Sequence, residues 1–223
     1  MFTIYLDLDG TLLDIAERYW RLHTHLTARL GGPQVERSAY WRMKRQGARI
    51  ADIWPGCPQE LHKAYDQAWL ELIEDPLYLR FDTLHKGVAH ALEELGQKYR
   101  LVLATMRRNP GPLKEQLSDL GLVSAFQAVL CDAGPQTPHQ GKEGLLRQDP
   151  QFDSTASIVV GDTEAEVQAG KRLGIPSVVV LNGLRAREWL KPLGPTYIIP
   201  SVSHLPSLLR QALTPGGTGS KVR

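Results

Sequence analysis

Cysteine is scarce in this chain: among 223 residues there are two, Cys57 and Cys131, far apart and with no second Cys or His at ligand spacing. Their scarcity excludes a disulfide framework, argues against structural zinc and fits a reducing compartment. Long apolar runs are missing too. The longest, residues 157–160 and 177–181, are strand-sized and far short of the roughly 20 residues that span a bilayer. An excess of one charge sign is also lacking, since 26 Lys and Arg face 24 Asp and Glu for a formal charge of +2. Nucleic-acid binding by electrostatics alone is therefore disfavoured. Met1 to Leu6 has neither a basic leader nor a small-residue cleavage site, and Asp7 follows, so the expected compartment is the cytoplasm.

What is present is an ordinary globular composition, 42% hydrophobic and 22% charged, long enough to bury a core. Short β-rich runs recur at residues 2–8, 101–105, 128–131, 157–160, 177–181 and 197–199, several of them apolar on both faces. Helical three-and-four spacing separates them at 88–99, 112–120, 141–147 and 164–173. This alternation predicts an α/β fold, a doubly wound, Rossmann-like parallel sheet. Residues 14–84 break the alternation with helical patterns alone. Ile15, Tyr19, Leu22, Leu26 and Leu30 share one helix face, Gly31-Gly32-Pro33 stops it, and four of the five tryptophans fall in this stretch. The predicted organisation is a catalytic core of residues 1–13 and 85–213, an inserted all-helical cap at 14–84, and a disordered tail at 214–223, which holds three glycines and a proline.

Asp7-Leu8-Asp9-Gly10-Thr11 closes the first predicted strand, at the sheet edge where ligands bind in open parallel sheets. Two carboxylates two residues apart repel unless a cation lies between them or one carries a proton. The pair therefore invites a divalent metal, an acid–base role, or both; the bland reading is a strand-end turn with incidental acids. A second acidic cluster, Gly161-Asp162-Thr163-Glu164-Ala165-Glu166, follows another apolar strand. Helix N-terminal acids complementing the dipole explain Glu164 well and Asp162 less well. Asp7, Asp9 and Asp162 together supply hard oxygen ligands in the number Mg²⁺ takes beside phosphate and water. Thr105 ends a strand with a hydroxyl, and Lys142 follows Gly141 at a helix start; both suit a phosphoryl anion, though each alone is commonly structural.

In this order the motifs Asp7-x-Asp9-Gly10-Thr11, Thr105, Lys142 and Gly161-Asp162 resemble those of the haloacid dehalogenase superfamily, in its phosphoglycolate-phosphatase-like branch with a helical cap. The resemblance runs from Phe2 to about Leu213 and includes Ala169-Gly170, Leu173-Gly174-Ile175-Pro176 and Asn182-Gly183. It implies that Asp7 is the nucleophile and that Asp9 is the general acid and base. Mg²⁺ would be held by Asp7, the Asp9 carbonyl and Asp162, and phosphate by Gly10, Thr11, Thr105 and Lys142. Glu166 departs from the Asp of many members, which implies an indirect or water-mediated role. An acid at Asp9 favours a phosphoryl substrate over a haloacid.

Two alternatives remain. A phosphomutase of the β-phosphoglucomutase type shares every motif and differs in the cap. A phosphorylated receiver-like or regulatory domain would carry its phosphorylated Asp on a later strand than the metal-binding acids and would lack the insert. A small phosphorylated metabolite is the implied partner, and monomer and homodimer both stay open. For substrate selectivity the candidates are Arg45 and Arg49, in the cap's basic run 41–49, with Arg107 and Arg108 beyond Thr105 acting on all substrates alike. The bland reading of the cap arginines is a solvated helix face.

Overall fold

In a computed structural model of the protein, residues 1–132 and 141–212 are described. The strands are β1 (Thr3–Leu6), β2 (Leu13–Asp14), β3 (Thr83–Leu84), β4 (Arg100–Thr105), β5 (Ala128–Cys131), β6 (Ser157–Gly161), β7 (Ser177–Val180) and β8 (Tyr197–Ile199). The helices are α1 (Ala16–Leu30), α2 (Arg37–Arg45), α3 (Ile50–Ile53), α4 (Gln59–Leu72), α5 (Pro76–Leu79), α6 (Val88–Gly96), α7 (Pro110–Asp119), α8 (Gly141–Leu146), α9 (Glu164–Leu173), α10 (Arg187–Leu190) and α11 (Leu205–Ala212). The tail expected at 214–223 lies outside the described residues.

Among the described residues six strands form a parallel sheet in the order β5-β4-β1-β6-β7-β8. The chain runs from β1 outward to β5, then returns to the other side of β1 at β6. The sheet's switch point therefore falls beside β1, and the crevice there opens at the carboxyl ends of β1, β4 and β6. Residue alternation distributes side chains to the two faces. Ile4, Leu6, Leu101, Leu103, Ile158 and Val160 pack with apolar residues of α6, α7 and α11. Tyr5, Val102, Ala104 and Val159 pack instead with Leu145 and Leu146 of α8 and Leu173 of α9. Covered on both faces, β1, β4 and β6 are buried throughout, which is why they read as continuous apolar runs.

Helices α1 to α5 pack around an apolar cluster of their own, with Leu22, Leu26, Tyr40, Ile50, Ile53, Trp54, Tyr65 and Ala68 at its centre. Between this cap and the sheet the chain crosses twice, and the crossings pair as an antiparallel ribbon, Leu13 with Leu84 and Asp14 with Thr83. The sequence reading places no strand at either margin of 14–84, because a two-residue strand carries no periodicity to detect.

Candidate active site

β1 ends at Leu6, so Asp7 is the first residue beyond the central strand, and its amide still donates to Val160 O of β6 at 2.9 Å. The chain then turns tightly at Gly10, whose φ of +80° suits glycine; a Cβ there would lie 2.2 Å from Asp162 Oδ2. Gly183 approaches from the other side, where a Cβ would meet the same oxygen at 2.2 Å and Gly10 O at 2.4 Å. Two glycines thus let backbone close around Asp162, which is fully buried. Its Oδ1 lies 3.1 Å from Thr11 Oγ1, and its Oδ2 accepts from Leu184 N at 2.6 Å.

Lys142, on α8, extends beneath Asp7. Its Nζ is 2.5 Å from Asp7 Oδ1 and 3.1 Å from Glu166 Oε1, and it donates to Ala104 O at 2.7 Å. Glu166 is itself buried and closes the N-terminus of α9, accepting from Thr163 N and Thr163 Oγ1. Its second oxygen thereby fixes the lysine. Glu166 thus touches the site through Lys142 and Thr163.

Asp7 and Glu166 therefore flank the one ammonium, and the buried Asp162 stands beside Asp7 through Thr11. Burial, Glu166 and Asp9 push the Asp7 carboxyl up to about 6 despite Lys142. Burial together with Asp7 and Glu166 raises Asp162 well above its ordinary value. Burial would lower Lys142, but Asp7 and Glu166 outweigh it and keep the ammonium charged. This surplus of negative charge is what a bound cation would neutralise. Among the described residues no three His, Cys, Asp or Glu side chains gather as a metal cage. A cation there would take Asp7 and Asp162 with a main-chain oxygen and water, a set that fits Mg²⁺.

A cleft of about 250 Å³ opens over these groups, with Asp7, Asp9, Thr105 and Lys142 on its floor and Tyr19, Trp69 and Leu70 of the cap above. Thr105, the last residue of β4, is buried, and its Oγ1 accepts from Arg107 N at 3.3 Å. Gly10 and Thr11, expected to face phosphate, do not line the cleft. The Gly10 amide donates to Leu13 O at 2.9 Å, and the Thr11 hydroxyl joins Asp162 to Asp7 Oδ2, 3.4 Å away. They shape the loop that presents the carboxylates.

Asp9 is gripped by two guanidiniums. Arg107 reaches Oδ2 through Nε at 2.9 Å and Oδ1 through Nη2 at 2.6 Å, while Nη2 of Arg18 lies 2.5 Å from Oδ1. Burial alone would raise the Asp9 carboxyl, but Arg107 and Arg18 prevail and hold it well below the usual range. Arg107, expected to touch every substrate, is occupied with Asp9 and with Gln116.

The cap arginines stand apart from the cleft. Arg45 donates to Gly183 O at 2.5 Å and Leu181 O at 2.8 Å, and its own carbonyl accepts from Ala186 N. Arg185 returns the contact, donating to Lys44 O while pairing with Glu164. Arg45 is thus a cap-to-core latch; α2 ends at it, and Arg49, beyond Gly47, is exposed outside the cleft. On the far side Glu74 accepts from the amides of Arg108 and Asn109. Arg108 lines the cleft mouth.

The sequence reading missed Arg18, Asp82, Gln116 and Glu74. Only Arg18 carried a signal: it lies three residues after Ile15 and four before Leu22, a charge on the apolar face of α1.

The chain belongs to the haloacid dehalogenase-like hydrolases, whose family pattern matches residues 4–180. It is 25% identical to a phosphoglycolate phosphatase of Agrobacterium fabrum, over 96% of this chain and 95% of that protein. Its fold is similar to that of a haloacid dehalogenase-like family hydrolase from Streptococcus pneumoniae, with a TM-score of 0.78, 18% identity, and coverage of 94% of this chain and 98% of that one. It is also similar to a protein designated a HAD-hydrolase from Bacillus subtilis, solved bound to magnesium, with a TM-score of 0.65, 19% identity, and coverage of 93% and 98%.

Proposed function

We propose that the protein is a Mg²⁺-dependent phosphatase that hydrolyses a small phosphomonoester of the phosphoglycolate or sugar-phosphate kind through an aspartyl-phosphate on Asp7. The observation that carries this reading is Asp7 itself, at the mouth of the central strand, its Oδ1 tied to Lys142 at 2.5 Å on the floor of a small cleft. The Asp7 carboxylate attacks phosphorus; a P–O bond to Asp7 forms as the ester P–O bond breaks, and Asp9 gives the departing oxygen a proton. Water then attacks the same phosphorus, Asp9 takes its proton, and Asp7 is regenerated with release of phosphate. Lys142 and Thr105 hold phosphoryl oxygens. Asp7, the Asp9 carbonyl and Asp162 would hold Mg²⁺, which when bound would neutralise the phosphoryl charge. Held by Arg107 and Arg18, Asp9 is ionised, and the negative charge of an arriving phosphoryl group favours its protonation. The cleft's size fits a small metabolite.

The test is phosphate release from a panel of small phosphomonoesters that includes phosphoglycolate. Release is expected with Mg²⁺, abolition with EDTA, and recovery on adding Mg²⁺ back. Full turnover in metal-free buffer would overturn the metal assignment. Isomerisation of a sugar phosphate without phosphate release would replace the phosphatase with a mutase.

A further inference from the structure

We infer that Asp82, which touches Asp9 only through the two guanidiniums they share, is a positioning residue for Asp9. This rests on the reading of Asp9 as the group that protonates the leaving oxygen. Asp82 lies where the chain returns from the cap, its side chain fully buried, and it pairs with Arg18 Nε at 3.0 Å and Arg107 Nη2 at 3.3 Å. These are the two guanidiniums that hold Asp9. Gln116 closes the ring, its Oε1 accepting from Arg107 Nη1 at 2.5 Å and its Nε2 donating to Asp82 Oδ2 at 2.9 Å. Two cations and two anions thus form a neutral circuit, in which Arg18, Arg107 and Asp82 are at most 3% exposed and Asp9, at 24%, is the more open.

Stability alone is a poor reason for such a circuit, because buried ion pairs are commonly matched or bettered by apolar packing. What the circuit does achieve is geometric. A planar guanidinium grips both oxygens of Asp9, a second arrives from the cap, and Asp82 fixes both guanidiniums from behind. With the Asp82 charge removed, Arg18 and Arg107 share a single carboxylate and settle elsewhere, carrying Asp9 out of line with the leaving oxygen. A displacement of about 1 Å is enough to cost on the order of 10²-fold in rate.

The experiment compares kcat/KM for an alkyl phosphomonoester, whose alkoxide needs a proton to depart, with that for p-nitrophenyl phosphate, whose phenolate leaves without one. Asp82→Asn is expected to lower the first by roughly 10–100-fold and the second by less than about threefold. Gln116→Met, which keeps the volume but loses both hydrogen bonds, should discriminate in the same direction more weakly, and serves if Asp82→Asn does not fold. The ratio of the two substrates does not depend on the folded fraction. Asp9→Asn should show the same discrimination, and adding Asp82→Asn to it should change the ratio no further. Equal losses on both esters, or no loss, overturn the inference and leave Asp82 a structural anion. A wild-type chain inactive on both overturns the phosphatase reading, and this inference with it.

Discussion

Asp7 and Asp9 are two residues apart yet live in opposite electrostatic settings. Asp7 faces one ammonium shared with Glu166, whereas Asp9 faces two guanidiniums shared with Asp82. The pair is therefore divided into a carboxylate raised by its surroundings and one lowered by them, which is how environment assigns distinct roles to like groups. Replacement of Asp7 by Asn should abolish turnover and any phosphorylated peptide together, because the amide is not a nucleophile. Asp9→Asn should retain a phosphorylated Asp7 detectable by mass spectrometry while slowing turnover by about 10²–10⁴-fold. Phosphate found on Asp9 instead would reverse the roles. These two residues, with Asp162, Thr105 and Lys142, were legible in the sequence because each follows a strand end or a helix start in a telling order. Asp82 and Gln116 were not, since their partners are assembled only by folding, the two themselves lying 34 residues apart.

At the scale of elements, the sheet was legible because strands buried on both faces leave unbroken apolar runs, and the cap because its helices alternate apolar and polar faces. The packing between helices was not. His23 of α1 is buried in the cap cluster, stacked on Tyr40 with ring centroids 4.2 Å apart and sharing a hydrogen bond with Tyr65 Oη. Burial, with a lesser contribution from Lys44, pushes its pKa from 6.5 down to about 4. An unfolded chain takes up this proton first as the pH falls. The contribution of His23 to stability is therefore complete above pH 6.5 and is lost as the pH falls toward 4, a difference of roughly 3 kcal/mol. Thermal melting followed across that range should show a steep acid limb that His23→Phe flattens. An unchanged limb would assign the acid sensitivity to other groups.

On the scale of the whole molecule, cap and sheet are held together at the β2–β3 ribbon, at the Glu74 contact with the start of α7, and at Arg45 against residues 181–183. The last lies beside Leu184, whose amide holds Asp162, so the element that seats the cap also seats a carboxylate of the site. Hydrogen bonds from a charged donor are worth roughly 1.5–3 kcal/mol each. Arg45→Ala should then raise KM by the same factor, about tenfold or more, for p-nitrophenyl phosphate and for the preferred substrate alike. A selective rise for one of them would restore a substrate contact to Arg45. The same latch has a consequence for how such a molecule changes over generations. Arg45 grips main-chain oxygens, which every residue type presents, so the clasp itself places no demand on the side chains at 181 and 182. Gly183 is held fixed by its approach to Asp162. The cap's seat thereby outlasts changes of side chain in the loop beneath it, as long as the main chain keeps its course.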